Sequence, residues 1–104
     1  MTLAPGDFRT QLRTLAGLQG AALTEDELSH MAECYPRCPG KEHWDVREYV
    51  RPTVVGTREY RVMRGTSVQD VYRSIERVRA TAVRTALNEL EFQEQARTSP
   101  GAAS

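Results

Sequence analysis

The cysteine and histidine residues lie close together in the sequence, and residues of these types can bind a metal ion or take part in catalysis. All of them fall within residues 30–43. Two thiolates and two imidazoles can bind zinc in tetrahedral geometry. Common zinc modules are spaced differently, with a Cys-x₂₋₄-Cys pair followed much later by a second pair. The candidate ligands are His30, Cys34, Cys38 and His43.

The alternative for this cluster is a structural role, in which Cys34 is buried, Cys38 is exposed and both histidines lie on the surface. A catalytic thiol–imidazole pair would also need an orienting third group and oxyanion donors, and the sequence indicates neither. It contains no glycine-rich phosphate-binding loop and no serine nucleophile elbow. The sequence therefore predicts a protein that is not an enzyme and has no cofactor, with bound zinc as the alternative.

The charge of the chain is balanced, and this limits the classes of partner. Its 104 residues include 14 Lys+Arg and 14 Asp+Glu, so the formal net charge is zero. A neutral chain has no overall field that attracts nucleic acid or an anionic membrane. Arginines are nevertheless concentrated in residues 47–84, where they could bind an acidic protein or a phosphate backbone. No stretch approaches the ~18 apolar residues of a membrane span, and the two cysteines do not make a disulfide framework, so a cytoplasmic protein is expected.

Hydrophobic periodicity predicts two helices in the first third of the chain. Apolar residues at helical spacing indicate a helix at about 7–18. A capping box from Thr24 to Glu27 opens the next helix, which Pro36 ends. Residues 44–50 are ambiguous, because strand alternation there would bury a glutamate.

The C-terminal part predicts a long helix that begins at Thr66 or Ser67 and reaches about residue 96. We expect residues 68–90 of this helix to dock on a protein partner or on a second copy of the chain. The alternative is a helix that lies across its own domain. The predicted partner-binding side chains are Val71, Ile75, Val78, Arg79, Ala82 and Ala86.

Residues 7–50 resemble an EF-hand domain. Asp7-Phe8-Arg9 and the leucines after it resemble an exiting helix, and Leu23-Thr24-Glu25-Asp26-Glu27-Leu28 resembles the entering helix of the next hand. Trp44-Asp45-Val46-Arg47-Glu48-Tyr49-Val50 resembles the end of a calcium loop and the helix after it. The resemblance implies a helix–loop–helix scaffold that holds a partner in an apolar groove.

The resemblance does not extend to calcium binding. With Glu48 at loop position twelve, Arg37, Pro39 and Lys41 occupy positions one, three and five, where a working loop needs oxygen ligands. Glu48 is the one residual ligand, so the resemblance implies a degenerate hand that binds no calcium.

These observations predict a mainly α fold, made of an EF-hand-like helix–loop–helix with short β segments and a long C-terminal helix. The predicted units are a domain at 1–64, the helix at 65–97 and a disordered tail at 98–104. The predicted function is a calcium-independent protein-interaction module. The alternative is a small zinc-stabilised domain that binds nucleic acid or an acidic protein through residues 47–84.

Overall fold

Three α-helices and three β-strands make up the structure, a computed structural model that describes residues 5–50, 57–66 and 69–98. The architecture is therefore α+β, and the prediction of a mainly α fold is wrong. In chain order the elements are α1 (Pro5–Leu18), α2 (Glu25–Cys34), a short 3₁₀ helix (Tyr35–Arg37), β1 (Trp44–Val50), β2 (Arg58–Arg64), β3 (Asp70–Ser74) and α3 (Arg77–Thr98). The strands form one antiparallel sheet in the order β1-β2-β3.

The two N-terminal helices confirm the sequence prediction. α1 covers the predicted stretch, and α2 begins directly after the predicted cap, Thr24. The Thr24 Oγ1 accepts a hydrogen bond from the backbone N–H of Glu27 (3.1 Å), and the Glu27 carboxylate accepts one from the Thr24 N–H (2.9 Å). This reciprocal pair satisfies two N–H groups that the start of a helix would otherwise leave unpaired.

Residues 44–50 form a strand, although the EF-hand resemblance implies a helix from Asp45 to Val50. The helix–loop–helix prediction is therefore wrong. Alternation places Trp44 and Val46 on the inner face of the sheet, where Trp44 is fully buried. Glu48 follows on the same face but is not buried. It lies at the open end of the sheet with 45% of its side chain exposed, and it accepts a hydrogen bond from Arg58 (2.9 Å).

The C-terminal helix is shorter than predicted, because α3 begins at Arg77 and residues 70–74 form β3 instead. Of the two predicted starts, Thr66 lies in a turn, and Ser67 lies outside the described residues. Val71 and Tyr72 are buried in the strand, and Tyr72 pairs with Val62 of β2. β-branched and aromatic residues pack well on a pleated surface, which explains why an apolar stripe that fits a helix is used by a strand.

The apolar core lies between the inner face of the sheet and the helices. α3 packs on α1 and on all three strands. Its buried side chains recur at helical spacing, which keeps them on one broad face. They are Ala80, Ala82, Val83, Ala86, Leu87 and Leu90.

None of the described helices is both long enough and apolar enough to cross a membrane. Residues 99–104 of the predicted tail lie outside the described residues.

Candidate functional site

The outer edge of β1 is the starting point for a candidate site, because β1 pairs with β2 on one side only. In an antiparallel pair, the backbone N–H and C=O groups of alternate residues point toward the neighbouring strand and away from it. At Trp44 the groups that point away are satisfied by α3. The Trp44 N–H donates to Asn88 Oδ1 (2.8 Å), and Asn88 Nδ2 donates to the Trp44 carbonyl (3.2 Å). The Asn88 amide thus takes the place of a neighbouring strand at this one residue.

The outward backbone groups farther along β1 have no such cover among the described residues. Since Trp44 points its N–H and C=O away from β2, alternation assigns the same direction to Val46, Glu48 and Val50. No backbone hydrogen bond from the described part of the chain reaches these three residues on that side. Val50 also exposes 69% of its surface. An unpaired strand edge is a template for pairing with another chain.

A cleft borders this edge, and we name it the β1 cleft. Its volume is about 340 Å³. Asp45 and Val46 point to opposite faces of the sheet but both line the cleft, so the cleft opens along the strand edge. The facing wall is α3, which presents three polar side chains at i, i+4 and i+7 and therefore on one helical face. The lining residues are Asp45, Val46, Glu48, Tyr60, Arg77, Thr81 and Arg84.

One charged residue of the β1 cleft, Glu48, has a partner of opposite charge, whereas Arg84 has none among the described residues. Glu48 accepts a hydrogen bond from Arg58, and this bond is the main reason that the pKa of Glu48 is lowered. Glu48 is therefore ionised and neutralised by its partner. Arg84 differs, because its Nε is buried with no partner among the described residues and its Nη2 makes only a long contact with Thr85 Oγ1 (3.5 Å). Once the Glu48–Arg58 pair is set aside, the cleft keeps two arginines and one acid, Asp45.

A buried polar cluster around Glu91 fixes α3 against β1 and β2, and so sets one end of the β1 cleft. The Glu91 carboxylate accepts hydrogen bonds from the Tyr35 hydroxyl (2.6 Å), from Trp44 Nε1 (3.1 Å) and from the Arg64 guanidinium. Arg64 lies over the Trp44 ring, with its Cζ 4.2 Å from the centroid, and also donates to the Gly40 carbonyl. Desolvation lowers the pKa of Arg64, and the nearby carboxylate compensates for the buried charge.

A second polar cluster fixes the start of α3. Arg79 Nη2 donates to Glu27 Oε1 (2.7 Å) and to the Ala22 carbonyl (3.0 Å), while Arg79 Nε donates to the Tyr72 hydroxyl (3.1 Å). The Tyr72 hydroxyl donates in turn to Glu27 Oε2 (2.8 Å). Glu27 thus joins the cap of α2 to β3 and α3.

The ionised form of Glu27 holds this second cluster together, so we expect a pH-dependent contribution to stability. Burial raises the pKa of Glu27, but hydrogen bonds from the Thr24 backbone, Tyr72 and Arg79 outweigh it and lower the pKa below its ordinary 4.5. A lowered carboxyl pKa gives stability that is present above pH 4.5 and is lost as the pH falls through the folded-state pKa. Glu27→Gln keeps the cap but removes the charge, and should cost about 1.5 kcal/mol at pH 7.

The measurement is chemical unfolding of the wild type and of Glu27→Gln between pH 7 and pH 3. The difference should shrink below pH 4.5. Glu33→Gln is the control, because the Glu33 side chain is 68% exposed and its ion pair with Arg37 is long (3.6 Å). An undiminished difference at pH 3 would show that the charge of Glu27 is not what the cluster uses.

The predicted zinc ligands are only partly brought together. His30 Nε2 lies 3.5 Å from the Cys34 Sγ, whereas the Cys38 Sγ lies 3.5 Å from the Gln69 carbonyl and His43 is exposed. Within the described ranges, no group of three or more His, Cys, Asp or Glu side chains is placed to hold a metal ion. Both thiols are free and buried, and burial raises the pKa of each. Cys38 is thus buried, not exposed as the alternative expected.

The predicted partner-binding seam is not assembled on one exposed helical face. Val71 and Ile75 precede α3, and Val71, Ala82 and Ala86 are buried in the core. Arg79 belongs to the cluster around Glu27. The exposed members are Ile75 and Val78, at 68% and 78%.

Among the residues of the β1 cleft, Arg77 and Arg84 belong to the arginine-rich segment 47–84, for which the sequence predicts binding to an acidic partner, and Glu48 is predicted only as a residual calcium ligand. The sequence does not predict that these residues meet beside β1. The signals were the alternation of Trp44 and Val46, and the helical spacing of Arg77, Thr81 and Arg84. Comparisons of the sequence with protein-family models, curated proteins and solved structures find no match. Function is therefore inferred from the geometry of the site.

Proposed function

We propose that this protein is an interaction module that binds an extended segment of a partner protein as a fourth strand along β1. The observation that carries the proposal is the contrast along one strand edge. The backbone of Trp44 is covered by Asn88, while the outward groups of Val46 and Glu48, at the β1 cleft, and those of Val50, farther along the same edge, have no partner among the described residues. Strand addition to an open sheet edge is a common mode of peptide recognition, in which main-chain hydrogen bonds provide affinity.

The dimensions of the site support a short segment. Residues 46–50 extend over about 13 Å at the usual rise of a strand. The cleft volume of about 340 Å³ is at the lower end of ligand-site volumes. Each main-chain hydrogen bond contributes about 1 kcal/mol net, so such a complex is reversible and of modest affinity. Binding by backbone groups needs neither calcium nor catalysis, and two free cysteines suit the reducing cytoplasm in which we place this function.

The experiment uses a displayed library of random nine-residue peptides as the probe. Glu48→Pro removes the one N–H at the centre of the open edge, and the position tolerates proline because its N–H is not used in pairing with β2. Glu48→Thr is the matched control, since it also removes the carboxylate but keeps the N–H. Selected peptides should bind the wild type and the Thr variant, and should bind Glu48→Pro at least tenfold more weakly.

Amide hydrogen exchange provides an independent test of the same edge. In the free protein, the amides of Val46, Glu48 and Val50 should exchange faster than those of Asp45, Arg47 and Tyr49, which pair with β2. Addition of a selected peptide should slow the first three. Equal binding of peptides to Glu48→Pro, with unchanged exchange at the edge, would show that the partner binds elsewhere.

A further inference from the structure

We infer that the segment added to β1 carries an acidic side chain, and that Arg84, together with Arg77, binds its carboxylate. This inference rests on the proposed function and adds the chemistry of the partner to it. The occupant is an acidic segment of another protein in extended conformation.

Arg84 is the first ground for the inference. Three other buried or partly buried arginines have an acidic partner within the fold: Arg61 with Glu59, Arg64 with Glu91 and Arg79 with Glu27. A fourth, Arg47, donates to the Gly65 carbonyl. Arg84 has only the long contact with Thr85, and its buried Nε has no acceptor among the described residues. A guanidinium carries five donors and pairs with carboxylates through two parallel bonds. Arg84 is thus a partly buried arginine of the β1 cleft whose donors have no acidic acceptor among the described residues.

The position of Arg77 is the second ground. Arg77 and Arg84 are seven residues apart on α3, which places them about 10.5 Å apart along the helix axis on one face. Thr81 lies between them on the same wall of the β1 cleft. The α3 wall is therefore cationic and polar, and it faces the side chains of any strand that pairs with β1. Alternate residues of such a strand are about 6.7 Å apart and share one face, so acidic residues at alternate positions could reach both arginines.

The acids of the β1 cleft offset only part of the positive charge of this wall. Glu48 is paired chiefly with Arg58 at 2.9 Å and also contacts Tyr60, and its weaker attraction to Arg77 offsets part of the charge of that arginine. Asp45 is the remaining acid, one residue from the end that Asn88 closes. Like charges repel, so Asp45 directs an incoming carboxylate toward α3 and away from that end of β1.

The test uses peptides selected from the random library against the wild type. We expect enrichment of Asp or Glu at one position or at two alternate positions. Replacing that residue by Asn or Gln in a fluorescently labelled peptide should weaken binding to the wild type about tenfold, the factor that corresponds to about 1.4 kcal/mol. Arg84→Gln should abolish the difference between the two peptides. Arg37→Gln, at an exposed arginine outside the β1 cleft, should retain it.

Thermal unfolding shows whether a variant that binds more weakly is still folded. Because Arg84 has no ion pair among the described residues, Arg84→Gln should not lower the melting temperature, and the variant can be compared directly with the wild type. If Arg84→Gln does unfold, Arg77→Gln is the second variant. The ratio between the affinities of the acidic peptide and its Asn or Gln counterpart should then fall to half of the wild-type value or less, and an unchanged ratio would overturn the inference.

The outcomes separate this inference from the proposed function. Selected peptides that lack acidic residues but lose binding on Glu48→Pro would overturn the inference and leave strand addition intact. Peptides that bind Glu48→Pro normally would overturn both. Protection of the β1 edge that rises with protein concentration in the absence of peptide would identify a second copy as the occupant, and would also overturn the inference.

Discussion

Glu91→Ala should lower the free energy of unfolding by about 3 kcal/mol, close to the lower limit for breaking a buried ion pair. The Arg64 side chain is only 5% exposed, and Glu91 is its carboxylate partner. Without Glu91, the guanidinium charge stays buried, and the hydroxyl of Tyr35 and the indole N–H of Trp44 lose their acceptor. Typical domains are stable by only about 5–15 kcal/mol, so this one change removes a large share. The melting temperature should fall by at least about 12 °C.

Two comparisons identify the cause of this loss. Glu89→Ala is the matched control on α3, because Glu89 is exposed and accepts a hydrogen bond from Gln93 (3.2 Å), and it should cost a few tenths of a kcal/mol at most. The double variant Arg64→Met with Glu91→Leu removes both charges and should recover part of the stability that Glu91→Ala loses. The single variants Arg64→Met and Glu91→Leu complete the comparison, and strictly additive effects of these two changes would show that the ion pair does not couple α3 to β2.

The sequence predicts best where a local signal determines the structure. The capping box of Thr24 and Glu27 fixes the start of α2, and the observed hydrogen bonds are those that the pattern predicts. Such contacts connect residues three apart, so they can be read without knowledge of the fold. The same glutamate also reaches Arg79, fifty-two residues away, and nothing in the local pattern indicates that contact.

Prediction from the sequence is wrong where a segment can form either a helix or a strand and tertiary contacts decide between them. Strand alternation over 44–50 places Glu48 on the inner face of the sheet. From the sequence alone, this position would bury an unpaired carboxylate. Arg58 lies on the adjacent strand, near the end of the sheet, and removes that cost. In the same way, Tyr72 can serve in a helical stripe or opposite Val62, and pairing with β2 selects the strand. The EF-hand resemblance predicts α2 correctly and the element after the loop wrongly, and as a statement of ancestry it stays a prediction.

The candidate site depends on contacts that no single segment displays. Residues of β1 and α3 form the β1 cleft because the Glu91 cluster holds the two elements together at one end. The outer edge of β1 is open to a further strand because the side chain of Asn88 bonds to the backbone of Trp44 and not to the residues after it. A sequence pattern can indicate a strand or a helix, but it does not indicate which strand lies at the edge of the sheet or how far a helix covers it.

Ala86→Glu should unfold the protein, which is the reverse of what an exposed docking seam would give. Ala86 is 1% exposed on the face of α3 that also buries Ala82, and α1 packs on this helix. Glutamate at this position would bring a carboxylate and its extra atoms into a site that the fold already buries almost completely. Burying an unpaired charge while overpacking the core is expected to cost at least about 4 kcal/mol. Circular dichroism at 25 °C should show loss of helix and strand together, since α3 shares its core with the sheet.

Ala96→Glu is the matched control, because it makes the same substitution on the same helix at an exposed position. It should change stability by no more than about 0.5 kcal/mol, chiefly through the unfavourable position of a negative charge near a helix C-terminus. A folded Ala86→Glu protein that loses only its ability to bind a partner would return the interaction surface to this face of α3. An unfolded Ala86→Glu beside a folded Ala96→Glu places this face of α3 in the core, so this face is not the surface that binds a partner.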